Sequence, residues 1–161
     1  MQVPKDVTIA VVEGEMQAAE AYAVRHGWRL DWQRDDLALF AEASHPADKT
    51  PIRWKADVAS YRALPPIWSC FQGKMKENET SWAPRFPRGG ALPGGVQSIF
   101  HSSGVICAPF NRLAFAEHAG PHGDWGGPAN WLSVRGTVRA TNLAEMIAQI
   151  EAHLTCSPGW Q

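Results

Sequence analysis

Three times between residues 28 and 58 the chain alternates apolar and polar side chains, and the connections are short. Trp28-Arg-Leu-Asp-Trp32, Leu37-Ala-Leu-Phe-Ala-Glu-Ala43 and Ile52-Arg-Trp-Lys-Ala-Asp-Val58 are the three runs. Asp35-Asp36 marks a turn after the first, and His45 to Pro51 forms a loop after the second. Period-two alternation predicts half-buried strands. Short connections between them predict an antiparallel meander. Tyr61-Arg-Ala-Leu-Pro65-Pro66 breaks the pattern, and Ile67-Trp-Ser-Cys-Phe71 then adds a fourth strand.

Helices are predicted on either side. Residues 7 to 26 carry Val7, Val11, Ala18 and Tyr22 at roughly helical spacing, with Asp6 as N-cap and Gly27 as the stop. Gly14 is the weak point of that helix. Residues 142 to 154 form the clearest helix. Asn142 and Glu145 resemble a capping box, and Leu143, Ile147, Ile150 and Leu154 share one face. Residues 72 to 95 are polar, then Pro/Gly-rich, and read as a long loop. Residues 108 to 134 are irregular except for a short helix at Asn111 to His118. The expected class is α+β, with helices beside an antiparallel sheet in one domain over residues 1–161.

Charge and composition exclude several roles. The net charge is −1 with no Lys/Arg cluster, so no nucleic-acid footprint is expected. The apolar runs fall short of a membrane span, and the N-terminus lacks the order of a signal peptide. Three widely spaced cysteines, Cys70, Cys107 and Cys156, fit free thiols in a reducing cytoplasm. No cofactor motif is present.

The segment with chemical potential is Ser98-Ile-Phe-His-Ser-Ser-Gly-Val-Ile-Cys107. It reads as a strand, a tight turn and an extended segment that holds a thiol in place. A thiolate is the best protein nucleophile near neutral pH, so an accessible Cys107 points to covalent thioester chemistry. Cys70, between Trp68 and Phe71, reads as core, and Cys156 as incidental.

The order of these elements resembles the ubiquitin-conjugating enzyme (UBC-like) fold. There a first helix precedes a four-stranded meander, and a Tyr-Pro-x-x-Pro-Pro-like segment leads into the fourth strand. Tyr61-Arg-Ala-Leu-Pro65-Pro66 keeps the tyrosine and the paired prolines. A His-containing turn and Gly-x-Ile-Cys follow, matched here by Phe100-His101 and Gly104-Val105-Ile106-Cys107. Trp131 matches a tryptophan loop, and residues 142 to 154 match a closing helix. Where the family has His-Pro-Asn, with the Asn stabilising an oxyanion, this chain has His101-Ser-Ser and a shorter spacing to the cysteine. That divergence, with Pro109 to His118 followed by Trp125, is similar to the bacterial branch encoded in ubiquitin-like conjugation antiphage operons.

The resemblance implies that Cys107 carries a ubiquitin-like protein as a thioester. The modifier would come from an activating enzyme and pass to an amine of a protein target. With the Asn missing, oxyanion donors would come from His101, Asn111, His118, His122 or Asn130, or from backbone N–H groups. Asp124 would orient the attacking lysine and help remove its proton. His118, His122 and His101 with Cys107 are zinc-competent types, but the spacing matches no common zinc module, so no metal is expected. Arg85, Arg88 and the glycines around them offer a grip for a partner, as do Trp82, Trp125 and Trp160. Two rival readings remain at this level. One is a catalytically silent relative that only binds a ubiquitin-like protein or its activating enzyme. The other is an unrelated cysteine hydrolase pairing Cys107 with His118 or His122.

Overall fold

The computed structural model describes residues 2–72, 86–117, 123–136 and 138–161. Arg85, Trp82, His118 and His122 lie outside the described residues. The first helix, α1, spans Lys5–Arg25 and so begins before the expected start. Pro4, not Asp6, is its N-cap, and the Pro4 carbonyl accepts the Thr8 N–H at 3.1 Å. Asp6 sits in the first turn, where its carboxylate meets the positive end of the helix dipole.

The end of α1 follows the expected glycine stop. Gly27 has φ +73, Trp28 N–H reaches the Ala23 carbonyl at 2.8 Å and Gly27 N–H that of Val24 at 3.4 Å. These two bonds make a Schellman closure, in which a residue without Cβ takes the left-handed position. The buried face of α1 is Thr8, Ile9, Val12, Met16, Ala19 and Ala23. It is rotated from the expected Val7/Val11/Ala18/Tyr22 stripe, and Val7 is 47% exposed. Small apolar residues occur all round this helix, so spacing alone did not pick out one face.

Four strands follow in the expected meander: β1 Arg29–Gln33, β2 Ala38–Ser44, β3 Pro51–Asp57 and β4 Ile67–Gln72, in the order β1-β2-β3-β4 and antiparallel throughout. The register aligns Leu30, Ala41, Trp54 and Cys70 across the sheet, and Trp32, Leu39, Ala56 and Trp68 beside them. These residues make the apolar face of the sheet. Leu39, Ala41, Trp54 and Ala56 are fully buried. The other face is polar, with Arg29, Glu42 and Arg53 joined in one ion network and the Arg53 guanidinium 4.1 Å from the Phe40 ring centre.

After β4 come a 3-10 turn at Pro93–Gly95, the short helix α2, Arg112–Glu117, two further 3-10 turns at Gly123–Trp125 and Pro128–Ser133, and the closing helix α3, Leu143–Thr155. The Asn142 side chain accepts the Glu145 N–H at 2.9 Å, as expected. The return bond goes to Thr141 N–H at 2.6 Å, one residue before the usual partner. A further free donor of α3, Leu143 N–H, is met by the Glu15 carboxylate of α1 at 2.9 Å. The same oxygen accepts the Tyr61 hydroxyl at 2.8 Å, which ties α1, α3 and the Tyr61 segment together. Trp131, 2% exposed, donates to the Arg62 carbonyl at 2.9 Å.

The tail beyond α3 is an element the sequence did not suggest. Pro87 and Trp160 form an antiparallel bridge, flanked by Arg88 N–H to the Gly159 carbonyl at 2.8 Å and Gln161 N–H to the Phe86 carbonyl at 3.0 Å. The approach is so close that a Cβ on Gly90 would lie 1.8 Å from the Cys156 carbonyl oxygen. The β2–β3 loop holds the tail from the other side. Buried His45 bonds Ser157 Oγ at 3.1 Å, and Trp160 donates to Asp48 at 3.1 Å. No helix among the described residues is long and apolar enough to cross a membrane.

Candidate active site around Cys107

The segment 98–107 folds as the expected hairpin. Phe100 and Ile106 form an antiparallel bridge, His101 N–H reaches the Val105 carbonyl at 3.1 Å and Cys107 N–H reaches the Ile99 carbonyl at 2.7 Å. Gly104 N–H closes the turn on the His101 carbonyl at 3.0 Å, with φ +81 at Gly104. That angle strains any residue with a Cβ. Ile99, Phe100 and Ile106 are buried, and Phe100 stacks on Trp54 of β3 at 5.7 Å between ring centres. An apolar arm anchored in the sheet core therefore supports the thiol.

Cys107 is half-buried, whereas Cys70 is buried at 4% exposure. Burial raises both thiols above their ordinary range, Cys70 far more than Cys107. A thiol raised in this way is protonated at neutral pH, so nucleophilic use requires a base or a partner to take its proton. Once formed, the thiolate is intrinsically more nucleophilic than that of a more acidic thiol.

Of the residues expected to assist Cys107, His101, Asn111, Asp124 and Asn130 are among the described residues. His101 is exposed at the turn, and its Nδ1 accepts the Ser103 N–H at 3.2 Å and lies 3.0 Å from Ser103 Oγ. This ring nitrogen is engaged in shaping the turn. Asp124 is exposed in the Gly123–Trp125 turn, which Trp125 anchors to α2 by an edge contact with Phe115 at 5.4 Å. Asn130 is exposed in the following 3-10 turn. His118 and His122, between α2 and that turn, lie outside the described residues. No group of three or more His, Cys, Asp or Glu side chains suited to a metal occurs among the described residues.

Asn111 differs from what an oxyanion donor requires. It is fully buried, its Nδ2 donates to the Ile106 carbonyl at 2.8 Å, and its Oδ1 accepts the Trp68 N–H at 3.0 Å. Both ends of the amide are committed to backbone. The sequence showed an Asn at a helix start four residues past the cysteine, but not that it bridges to β4.

Arg112 continues this attachment. Its side chain donates to the carbonyls of Pro65 at 3.1 Å and Ala59 at 2.6 Å, and its N–H to that of Pro66 at 2.9 Å. The paired prolines are thereby held against the segment that follows Cys107. Between β4 and the hairpin turn lies a cleft of about 270 Å³, lined by Trp68, Ser69, Cys70, Phe86, Ser103, Gly104 and Leu113. Comparison of the chain with protein-family models, curated proteins and solved structures gave no match.

Proposed function

We propose that this chain is a ubiquitin-conjugating-type transferase, of the bacterial defence kind, that accepts a ubiquitin-like protein on Cys107 and passes it to an amine of a protein target. The observation that carries the reading is the placement of Cys107. It is half-buried at the end of a hairpin braced on a four-stranded meander, after a first helix and before a closing one.

In the loading step the Cys107 thiol gives its proton to water, from which the departing thiolate can regain one, and its sulfur attacks the thioester carbonyl on the activating enzyme. A tetrahedral oxyanion forms and collapses, a new C–S bond replaces the old one, and the enzyme's thiolate leaves. In discharge a lysine amine attacks the Cys107 thioester, gives up a proton and expels the Cys107 thiolate. Asp124 is the described side chain assigned to the amine's proton. His118 and His122 are assigned to the oxyanion, with His101 in reserve.

One observation favours a second reading, a silent relative that binds a ubiquitin-like protein or its activating enzyme. The buried Asn111 amide is already committed, and burial raises the thiol. A single assay separates the two. Incubation with a cognate ubiquitin-like protein, its activating enzyme and ATP gives a reductant-sensitive adduct that Cys107→Ala abolishes. Loading followed by discharge to free lysine supports the transferase. Binding of the modifier or activating enzyme without any adduct supports the silent relative.

A further inference from the structure

The peptide unit between Ile106 and Cys107 is held at both of its polar atoms. Its carbonyl accepts Asn111 Nδ2 at 2.8 Å, and its N–H donates to the Ile99 carbonyl at 2.7 Å. Each hold is tied in turn to a different part of the fold. Asn111 Oδ1 accepts the Trp68 N–H of β4 at 3.0 Å, and the Ile99 N–H reaches His153 of α3 at 3.2 Å. The bonds run without a break from β4, through the peptide that precedes the thiol, to α3. Asn111 is fully buried and the next residue, Arg112, is fastened to Ala59, Pro65 and Pro66. The amide therefore has no room to turn away.

We propose that Asn111 is a positioning residue for Cys107, fixing the plane of the preceding peptide so that the sulfur keeps one half-buried orientation. An ordinary packing residue would fill this space with an apolar side chain. A carboxamide can meet one donor and one acceptor of separate segments together, as Asn111 does for Trp68 N–H and the Ile106 carbonyl. Loss of the amide leaves the Ile106 carbonyl without this donor and the peptide plane held on one side only, by the Cys107 N–H bond to Ile99, so that the plane can tilt. The sulfur then samples more exposed positions. The importance given to this orientation rests on the reading of Cys107 as the working nucleophile. The test needs no conjugation partner, so failure of the conjugation assay does not bear on it.

The experiment is the rate of iodoacetamide modification of Cys107 and Cys70 in the folded protein, by mass spectrometry, from pH 6 to 10. Asn111→Ala is expected to lower the apparent pKa of Cys107, because a more exposed sulfur is penalised less as a thiolate. Its modification at pH 7.5 is then on the order of three-fold faster, since the gain in thiolate outweighs the accompanying loss of nucleophilicity. Cys70 stays protected. An unchanged Cys107 profile, or an equal rise at Cys70 that reports general opening, overturns the proposal.

Asn111→Asp serves if the alanine variant fails to fold. The introduced carboxyl keeps the acceptor for Trp68 N–H, and donates to the Ile106 carbonyl only while protonated. A second inflection in the Cys107 profile, at the titration of that carboxyl, supports the assignment. A single inflection like that of the unaltered protein overturns it.

Discussion

His153 Nδ1 accepts the backbone N–H of Ile99 at 3.2 Å, which joins the closing helix to the first strand of the cysteine hairpin. The imidazole is 1% exposed and meets Phe100 edge-on at 6.3 Å. With Nδ1 as acceptor, the neutral ring carries its proton on Nε2, and protonation of Nδ1 would break the bond to Ile99.

Burial depresses the folded-state pKa of His153 to about 4, against an ordinary value of 6.5. The neutral form is thus favoured by folding. Stability is complete above the unfolded value and falls as pH drops from 6.5 towards 4. At pH 5 this one group removes about 2 kcal/mol. His45, also lowered by burial, adds to the loss in the same direction. Urea unfolding between pH 7.5 and 5 should show this decline. His153→Asn puts an amide oxygen where Nδ1 stands and so keeps an acceptor for Ile99 N–H without a titration, and its stability should fall less steeply. An identical pH slope for both proteins would remove His153 as the cause.

Glu15 gives a second test. One carboxylate oxygen meets both the Tyr61 hydroxyl and the Leu143 N–H, and Arg62 lies 3.6 Å from the other. Burial and the neighbouring Glu15 charge raise the Tyr61 hydroxyl well above its usual range, so it stays protonated as a donor. Glu15→Gln retains one acceptor oxygen for both donors and should cost about 1 kcal/mol. Glu15→Ala leaves two largely enclosed donors without their acceptor and should cost about 3 kcal/mol by denaturant titration. Equal losses in the two variants would mean that the shared oxygen is not what matters.

Two glycines should respond in opposite directions. Gly14 lies inside α1, exposed, and a Cβ there would meet nothing within 4 Å. Gly14→Ala should stabilise the protein by about 1 kcal/mol, the ordinary difference in helix propensity. Gly90 is the reverse case, because its Cβ would strike the Cys156 carbonyl oxygen. Gly90→Ala must displace the tail from Phe86–Arg88, with a lower melting temperature. A neutral result at Gly90 would show that the tail yields without cost.

The sheet was legible because alternation and short connections leave few ways to pair, and every expected strand matched its observed range to within one residue. The α3 face was legible because Leu143, Ile147, Ile150 and Leu154 contrast with polar neighbours, and all four are buried. The α1 face was not, because Ala residues on several sides give no contrast. The tail pairing was hidden because it consists of one isolated bridge supported by Ser157, His45 and backbone carbonyls, with no alternating run to reveal it. Around Cys107 the hairpin could be read from its turn residues. The role of Asn111 could not, since it depends on β4 arriving 43 residues away in sequence.

The final prediction concerns the two thiols of the unaltered protein. Cys107 is half-buried and raised by burial from a reference near 9. Below that titration the thiolate fraction grows ten-fold per pH unit, so modification of Cys107 by iodoacetamide should rise about ten-fold per unit between pH 7 and 9. Cys70 is enclosed against Trp54 of the neighbouring strand and raised much further. It should react only through unfolding, at a rate that follows denaturant concentration more than pH. If the conjugation reading holds, thioester loading of Cys107 should follow the same rising limb wherever thiolate formation limits the step. Modification of Cys107 that is flat from pH 7 to 9 would mean that the thiol is already ionised, contrary to the effect of its burial. Comparable modification of Cys70 in the absence of denaturant would mean that β4 opens readily, and the contrast between an available and an enclosed thiol would then be lost.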